Sequence, residues 1–198
     1  MVFMGTADLI KHGRLNEQEL YHVVRELRRY KNKAKPARIT GYPKENKETR
    51  NATACWAETT IAPYSFNILQ SHVIQQYHQY PLDTTEIAEI QYTSYDIDGI
   101  FVWHQDNVPN TRQDKRVRGI TMSINLSDPS TYTGGELLVK TPDSQEVCIS
   151  RQMGSYMMFP SFLKHQACRV ESGKREALVV WTYLTEDEML WMKNQCVR

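Results

Sequence analysis

The strongest constraint on this chain is its texture after Pro81. About eight short segments follow, EIAEIQYTSY, GIFVWH, VRGITMSINL, GELLVK, QEVCIS, GSYMMFP, HQACRVE and REALVVWTY, rich in β-branched and aromatic residues and punctuated by Gly, Pro, Asp and Ser. Eight antiparallel strands are what a double-sheet jelly roll requires. Upstream, Leu20, Val23, Val24 and Leu27 fall at helical spacing behind an Asn16 cap with Glu19 three residues on. Phe66, Leu69, Val73 and Tyr77 line one side of a second helix that Pro81 stops, and TEDEMLWMKNQ reads as a short closing helix. The expected class is α+β, with helices packed outside a β-sandwich. Residues 1–85 are expected to form the helical and basic-loop region and 86–198 the strand-rich core of one domain, since 198 residues at 40% hydrophobic content suit a single sizeable core.

Within that core, WHQDN places His104 and Asp106 one residue apart behind the strand GIFVW. Side chains at i and i+2 of a strand share a face, so both reach one ion while Gln105 points away. A third ligand is available in His165, at the start of HQACRVE. Two imidazoles and one carboxylate, with the other positions left open, form the facial triad of non-haem Fe(II) sites. An H-x-D pair alone arises often by chance, so the reading needs support from further along the chain.

That support is Arg175, ten positions after His165 and followed by EALVVW. With it, the sequence resembles the Fe(II)/2-oxoglutarate-dependent dioxygenases, in particular the prolyl 4-hydroxylase-like, PKHD-type branch, over roughly residues 86 to 184. The resemblance implies a double-stranded β-helix (jelly roll, cupin-like) with iron held by His104, Asp106 and His165. It makes Arg175 the partner of the distal carboxylate of 2-oxoglutarate, a task that suits a planar guanidinium. Tyr95 matches a tyrosine that helps bind this co-substrate, and Trp181 an aromatic lining the pocket. The Gly134-Gly135-Glu136-Leu137 turn is expected to be structural, since paired glycines permit positive φ. One position departs from the pattern: in TMSINLSD, Asn125 stands where the branch usually has tyrosine, and it is expected to assist Arg175 and Tyr95 at the carboxylate.

The implied activity is hydroxylation of a protein or peptide side chain, with prolyl as the first expectation. It would consume O2 and convert 2-oxoglutarate to succinate, with ascorbate as an optional reductant. A nucleobase or small-molecule substrate, and a non-catalytic metal-binding protein, are the alternatives. Charge bears on the first alternative: residues 1–50 carry 12 Lys+Arg against 6 Asp+Glu, and 51–198 carry 12 against 17. A basic head can contact nucleic acid, although such a face is more often simply solvated. Loops 36–51 and 107–118 are candidate lids. Cys168 stands three residues after His165 but without a second Cys/His pair and reads as a core thiol, and Trp103 as a packing residue outside the site. Four cysteines without a CxxC pair, no secretory leader and no long apolar run point to a cytoplasmic protein without membrane contact.

Overall fold

The computed structural model describes residues 9–31, 33, 35–36, 48–57, 62–84, 87–107 and 116–196. In chain order these form β1 (Lys11–Arg14), α1 (Glu17–Lys31), β2 (Lys35–Pro36), β3 (Arg50–Asn51), β4 (Thr53–Ala57), α2 (Pro63–Tyr77) and β5 (Ile87–Tyr95). There follow β6 (Ile100–His104), β7 (Val117–Asn125), β8 (Tyr132–Gly134), β9 (Leu137–Lys140), β10 (Glu146–Cys148) and β11 (Ser155–Pro160). The chain closes with β12 (His165–Ala167), β13 (Val170–Gly173), β14 (Arg175–Leu184) and α3 (Glu186–Cys196).

A seven-stranded sheet in the order β1-β11-β7-β14-β5-β4-β2 faces a five-stranded sheet in the order β10-β9-β12-β6-β3. All pairings are antiparallel. This is the expected double-stranded β-helix, with one correction to the strand count. All eight expected segments carry strands, and HQACRVE splits into β12 and β13. Five more strands, β1 to β4 and β8, were not anticipated, so the region before residue 60 supplies strands to both sheets as well as a helix.

Residue parity along the strands assigns the two faces of the large sheet. Ile90 and Tyr92, Ile120, Met122 and Ile124, and Leu178 and Val180 enter one core with Val23 and Leu27 of α1 and Phe66, Leu69, Val73 and Tyr77 of α2. Their odd-numbered neighbours, Gln91, Thr93 and Tyr95, Thr121 and Ser123, and Arg175, Ala177 and Val179, face the space between the sheets. The registers keep odd against odd, as in Ala177↔Thr93 and Val179↔Ser123, so the apolar set lies under the helices and the polar set lines a cavity. α1 starts at a capping box: the Asn16 backbone N–H donates to Glu19 Oε2 at 2.8 Å, and Glu19 N–H donates to Asn16 Oδ1 at 2.9 Å. Among the described residues, no helix is long and apolar enough to cross a membrane.

Candidate active site

The space between the sheets is a cavity of about 460 Å³, and His104, Asp106, His165, Arg175, Tyr95 and Trp181 all line it. Two facing strands bring the histidines together. β12 pairs with β6 so that His165 lies directly opposite His104, and their ring centroids are 4.1 Å apart. Asp106 follows β6, its backbone N–H donating to Ser161 O at 2.8 Å. The ligand atoms of the three side chains lie within 4.8 Å of one another.

The ring nitrogens of both histidines are assigned by their surroundings. His104 Nδ1 is 2.7 Å from Val102 O and His165 Nδ1 is 3.0 Å from Leu163 O. A carbonyl only accepts, so each Nδ1 carries a hydrogen, and Nε2 is the nitrogen each ring can offer to a metal. Both Nε2 atoms converge on Asp106, with His104 Nε2 3.6 Å from Oδ1 and His165 Nε2 3.3 Å from Oδ2. With metal–ligand bonds of roughly 2 Å, ligands at right angles around one ion stand about 3 Å apart, close to this spacing. The donor set therefore fits a divalent ion such as iron, with the remaining positions left open.

Asp106 is held from behind. Trp181 Nε1 donates to Oδ2 at 2.9 Å, and Thr121 Oγ1 donates to the same oxygen at 2.9 Å. Ser161 Oγ, 2.9 Å from Thr121 Oγ1, completes the chain by donating to it. Burial alone would push the Asp106 carboxyl up, but His165, His104 and the Trp181 hydrogen bond hold it well below the usual carboxylate range. Burial pushes His104 down to about 3, with His165 adding to the effect. For His165, burial is outweighed by the Asp106 carboxylate, and the imidazole is raised above its ordinary value.

Arg175 begins β14, directly opposite Tyr95 on β5, with its guanidinium carbon 5.4 Å from the Tyr95 ring centre. It is only 3% exposed, and its Nη2 has no hydrogen-bond partner among the described residues. A buried cationic nitrogen without an acceptor is costly unless a ligand supplies one. This orphaned donor, facing the cavity of the three metal ligands, fits the distal carboxylate of 2-oxoglutarate. Gly135 makes room for it: at φ +69°, a Cβ there would stand 3.0 Å from Arg175 Cδ. The expected structural role of the glycine pair thus extends to the arginine.

Asn125 has protein partners of its own. It has inward parity, but it does not line the cavity. Its amide donates to Ser127 O at 3.0 Å and to Arg151 O at 2.6 Å, and its oxygen accepts from Tyr132 at 3.4 Å. Both amide hydrogens are thereby engaged by backbone carbonyls. Trp103 lies outside the site under Lys140, whose Nζ is 4.4 Å from its ring centre, as expected for a packing residue. The proposed lids fall mainly on residues 37–47 and 108–115, which lie outside the described residues. Sequence reasoning missed Arg50, Gln91, Thr93, Arg118, Thr121 and Ser123, all of which line the cavity. A usable signal was the alternation of polar with large apolar residues in IQYTSY and ITMSIN.

Residues 90–183 match the model of the 2OG-Fe(II) oxygenase superfamily. A PKHD-type hydroxylase of Shewanella sp. (strain MR-7) is 37% identical over 82 residues, which cover 41% of this chain and 36% of the relative. A PKHD-type hydroxylase of Parvibaculum lavamentivorans is 36% identical over 78 residues, 39% of this chain and 34% of the relative. The match thus spans about a third of the length of these curated relatives. Among solved structures, a prolyl hydroxylase from Trichoplax adhaerens in complex with a hypoxia inducible factor peptide fragment superposes with a TM-score of 0.69 at 16% identity, covering 93% of this chain and 87% of that one. A Pseudomonas putida prolyl-4-hydroxylase gives 0.63 at 19% identity, covering 87% and 91%. At such identities the likeness speaks for the fold, and the recognition that began with His104, Asp106, His165 and Arg175 stands: through residues 90–183 the chain is related to the 2OG-Fe(II) oxygenase superfamily.

Proposed function

We propose that the protein is an Fe(II)- and 2-oxoglutarate-dependent dioxygenase that hydroxylates a protein or peptide side chain, a prolyl residue in the first instance. The observation that carries this reading is the coexistence, in one cavity, of a three-atom metal-ligand set and a buried arginine with an unpartnered Nη2. Iron and 2-oxoglutarate bound there would supply the oxidising power for C–H hydroxylation, with O2 consumed and 2-oxoglutarate leaving as succinate and carbon dioxide.

The chain's own residues prepare the site for this chemistry. His104 and His165 offer Nε2 because their Nδ1 hydrogens are committed to backbone carbonyls. Asp106 offers Oδ1 because Trp181 and Thr121 occupy Oδ2. Arg175 receives the far carboxylate of the co-substrate beside Tyr95, which fixes its direction along the cavity. The walls, with Phe159, Leu137 and Val179 among them, limit access of water to the reacting centre. The prolyl assignment draws on the prolyl hydroxylases that share the fold and on the one solved with a bound peptide.

The test is turnover of 2-oxoglutarate by purified protein without a primary substrate. Slow succinate release that requires both Fe(II) and O2 is expected. A protein that binds metal but releases no succinate under these conditions would instead be a non-catalytic metal-binding protein.

A further inference from the structure

We propose that Glu89 and Arg118 are positioning residues: together they hold the Trp181 indole so that its N–H stays on Asp106 Oδ2 and Oδ1 alone is left for the metal. This role presupposes the metal site proposed above and extends it to two charged residues outside the ligand set. Trp181 donates to Oδ2 at 2.9 Å. The last side-chain torsion of a tryptophan is broad and roughly two-fold, so the torsion alone does not aim that N–H. The ring has to be held by its neighbours.

Strand pairing brings both residues to the ring. On β14, Trp181 lies opposite Glu89 of β5 and Thr121 of β7, so the two donors to Asp106 and the Glu89 carboxylate stand in one row across three strands. Arg118 reaches that row through a register slip. β14 pairs Thr182 with Ile120 but Tyr183 with Arg118, which leaves Gly119 as an extra residue on β7. Ile120, Met122 and Ile124 face the helices, and strict alternation would send Arg118 to the same side. The slip turns it instead to the cavity, which it lines with Thr121 and Ser123. Glycine suits the extra position, since a Cβ there would stand 2.3 Å from Leu184 Cγ.

Once in the cavity, Arg118 is fixed from three sides. Its guanidinium carbon is 3.9 Å from the Trp181 ring centre and 5.5 Å from that of Trp56, and the two indoles are 5.5 Å apart. Glu89 Oε2 accepts from Arg118 Nη2 at 2.6 Å and from Nε at 2.9 Å. The ring quadrupole attracts the cation to the indole face, and the carboxylate keeps it there. A planar guanidinium stacked on the ring limits its rotation, as a point charge on a flexible stem would not. With its charge answered by Glu89, Arg118 is suited to holding a ring and not to binding an anion. The line from Glu89 through Arg118 and Trp181 thus carries order from the partly exposed wall of the cavity to the buried Asp106.

A double-variant cycle on Mn(II) affinity, measured by calorimetry on the full chain, tests the proposal. Arg118→Met keeps the stem and removes the plane. If it fails to fold, Glu89→Gln/Arg118→Met takes its place, because no carboxylate is then left unpaired. The variant should weaken Mn(II) about as much as Trp181→Phe, tenfold or less, and should cause no further loss in a Trp181→Phe background. Arg118→Lys, which keeps the charge without the plane, should resemble Arg118→Met. The Co(II)-loaded protein gives a readout that a general loss of stability would not move. Freeing Oδ2 to join Oδ1 on the metal changes the coordination, so Trp181→Phe and the Arg118→Met protein should shift the visible absorption of bound Co(II) alike. Mn(II) binding like the parent's, a separate loss in the Trp181→Phe background, rescue by Arg118→Lys or an unchanged Co(II) spectrum would each overturn the proposal. Failure of the parent protein itself to bind Mn(II) would overturn the oxygenase reading, and this role with it.

Discussion

The two ends of the cavity are finished to different degrees. At the metal end, the polar atoms that face away from the shared point are hydrogen-bonded: His104 Nδ1 to Val102 O, His165 Nδ1 to Leu163 O, and Asp106 Oδ2 by Trp181 and Thr121. At the other end, Arg175 is as deeply buried, yet its Nη2 has no partner among the described residues. One end is organised before its ion arrives, so little reorganisation is left to oppose metal binding. The other end stores a desolvated charge that a carboxylate from outside satisfies. The contrast matches two kinds of ligand, a resident ion and a co-substrate that must enter and leave at every turnover.

Breaking each end separately gives the largest expected effects. His165→Ala removes a ligand and should abolish Mn(II) binding in calorimetry. Arg175→Ala should leave the Mn(II) titration intact while weakening 2-oxoglutarate about ten- to a hundredfold, the cost of a lost charge-assisted pair. If Arg175→Ala loses metal as completely as His165→Ala, the arginine is a structural element shared by both ends and the contrast disappears.

Much of the metal end was legible in the sequence because its logic is local. His104 and Asp106 share a face through strand periodicity, and neighbouring residues fix the imidazoles through carbonyls two positions upstream. Asn125 shows where such reasoning stops. Parity predicts which face a residue takes but not how far along the cavity it lies, and the groups that engage its amide, Ser127 O, Arg151 O and Tyr132, include two supplied by chain contacts that no period encodes. The early strands were missed for a related reason. KHGR has no strand-like composition, and β1 exists because Lys11–Arg14 pairs with Met158–Ser155 far along the chain. Arg50 was hidden in the same way, since the pairing Arg50↔Phe101 brings the end of the basic segment 1–50 to the site.

Proton competition at the metal end offers a sharper, intermediate test. His104 is pushed down to about 3, mainly by burial, so it is unprotonated in the folded state over most of the accessible range. His165 is raised, since Asp106 outweighs the effect of its burial, so its proton persists above the ordinary imidazole value of about 6.5. Metal needs both Nε2 lone pairs, so one proton competes and not two. Mn(II) affinity should fall about tenfold per pH unit as pH drops through the His165 range, and level off above it. The linked stability terms have opposite signs. The His165 contribution to metal-free stability is present below about 6.5 and lost as pH rises through its folded value, whereas that of His104 is present above about 6.5 and lost as pH falls toward 3. Calorimetry in buffers of different ionisation enthalpy counts the protons released. Two protons at neutral pH would mean that His104 is charged in the folded protein and that the end is less prepared than its hydrogen bonds indicate.

The smallest expected effects concern the two donors behind Asp106. Residues that orient metal ligands typically contribute ten- to a hundredfold to metal affinity, but Trp181 and Thr121 share one oxygen, so either can partly cover for the other. Thr121→Val and Trp181→Phe should therefore each weaken Mn(II) by about tenfold or less. Trp181→Phe should cost more of the two, because the indole also stacks 3.9 Å from the Arg118 guanidinium and the smaller ring alters that contact as well. The double variant should lose more than the product of the single losses, since it leaves Oδ2 of a buried carboxylate with neither donor. If both single variants and the double bind Mn(II) like the parent protein, Asp106 is positioned by its backbone bond to Ser161 alone. The metal end would then owe its order to the chain trace of the β6 exit and not to a hydrogen-bonded shell, and the difference between the two ends would shrink to the presence or absence of a buried charge.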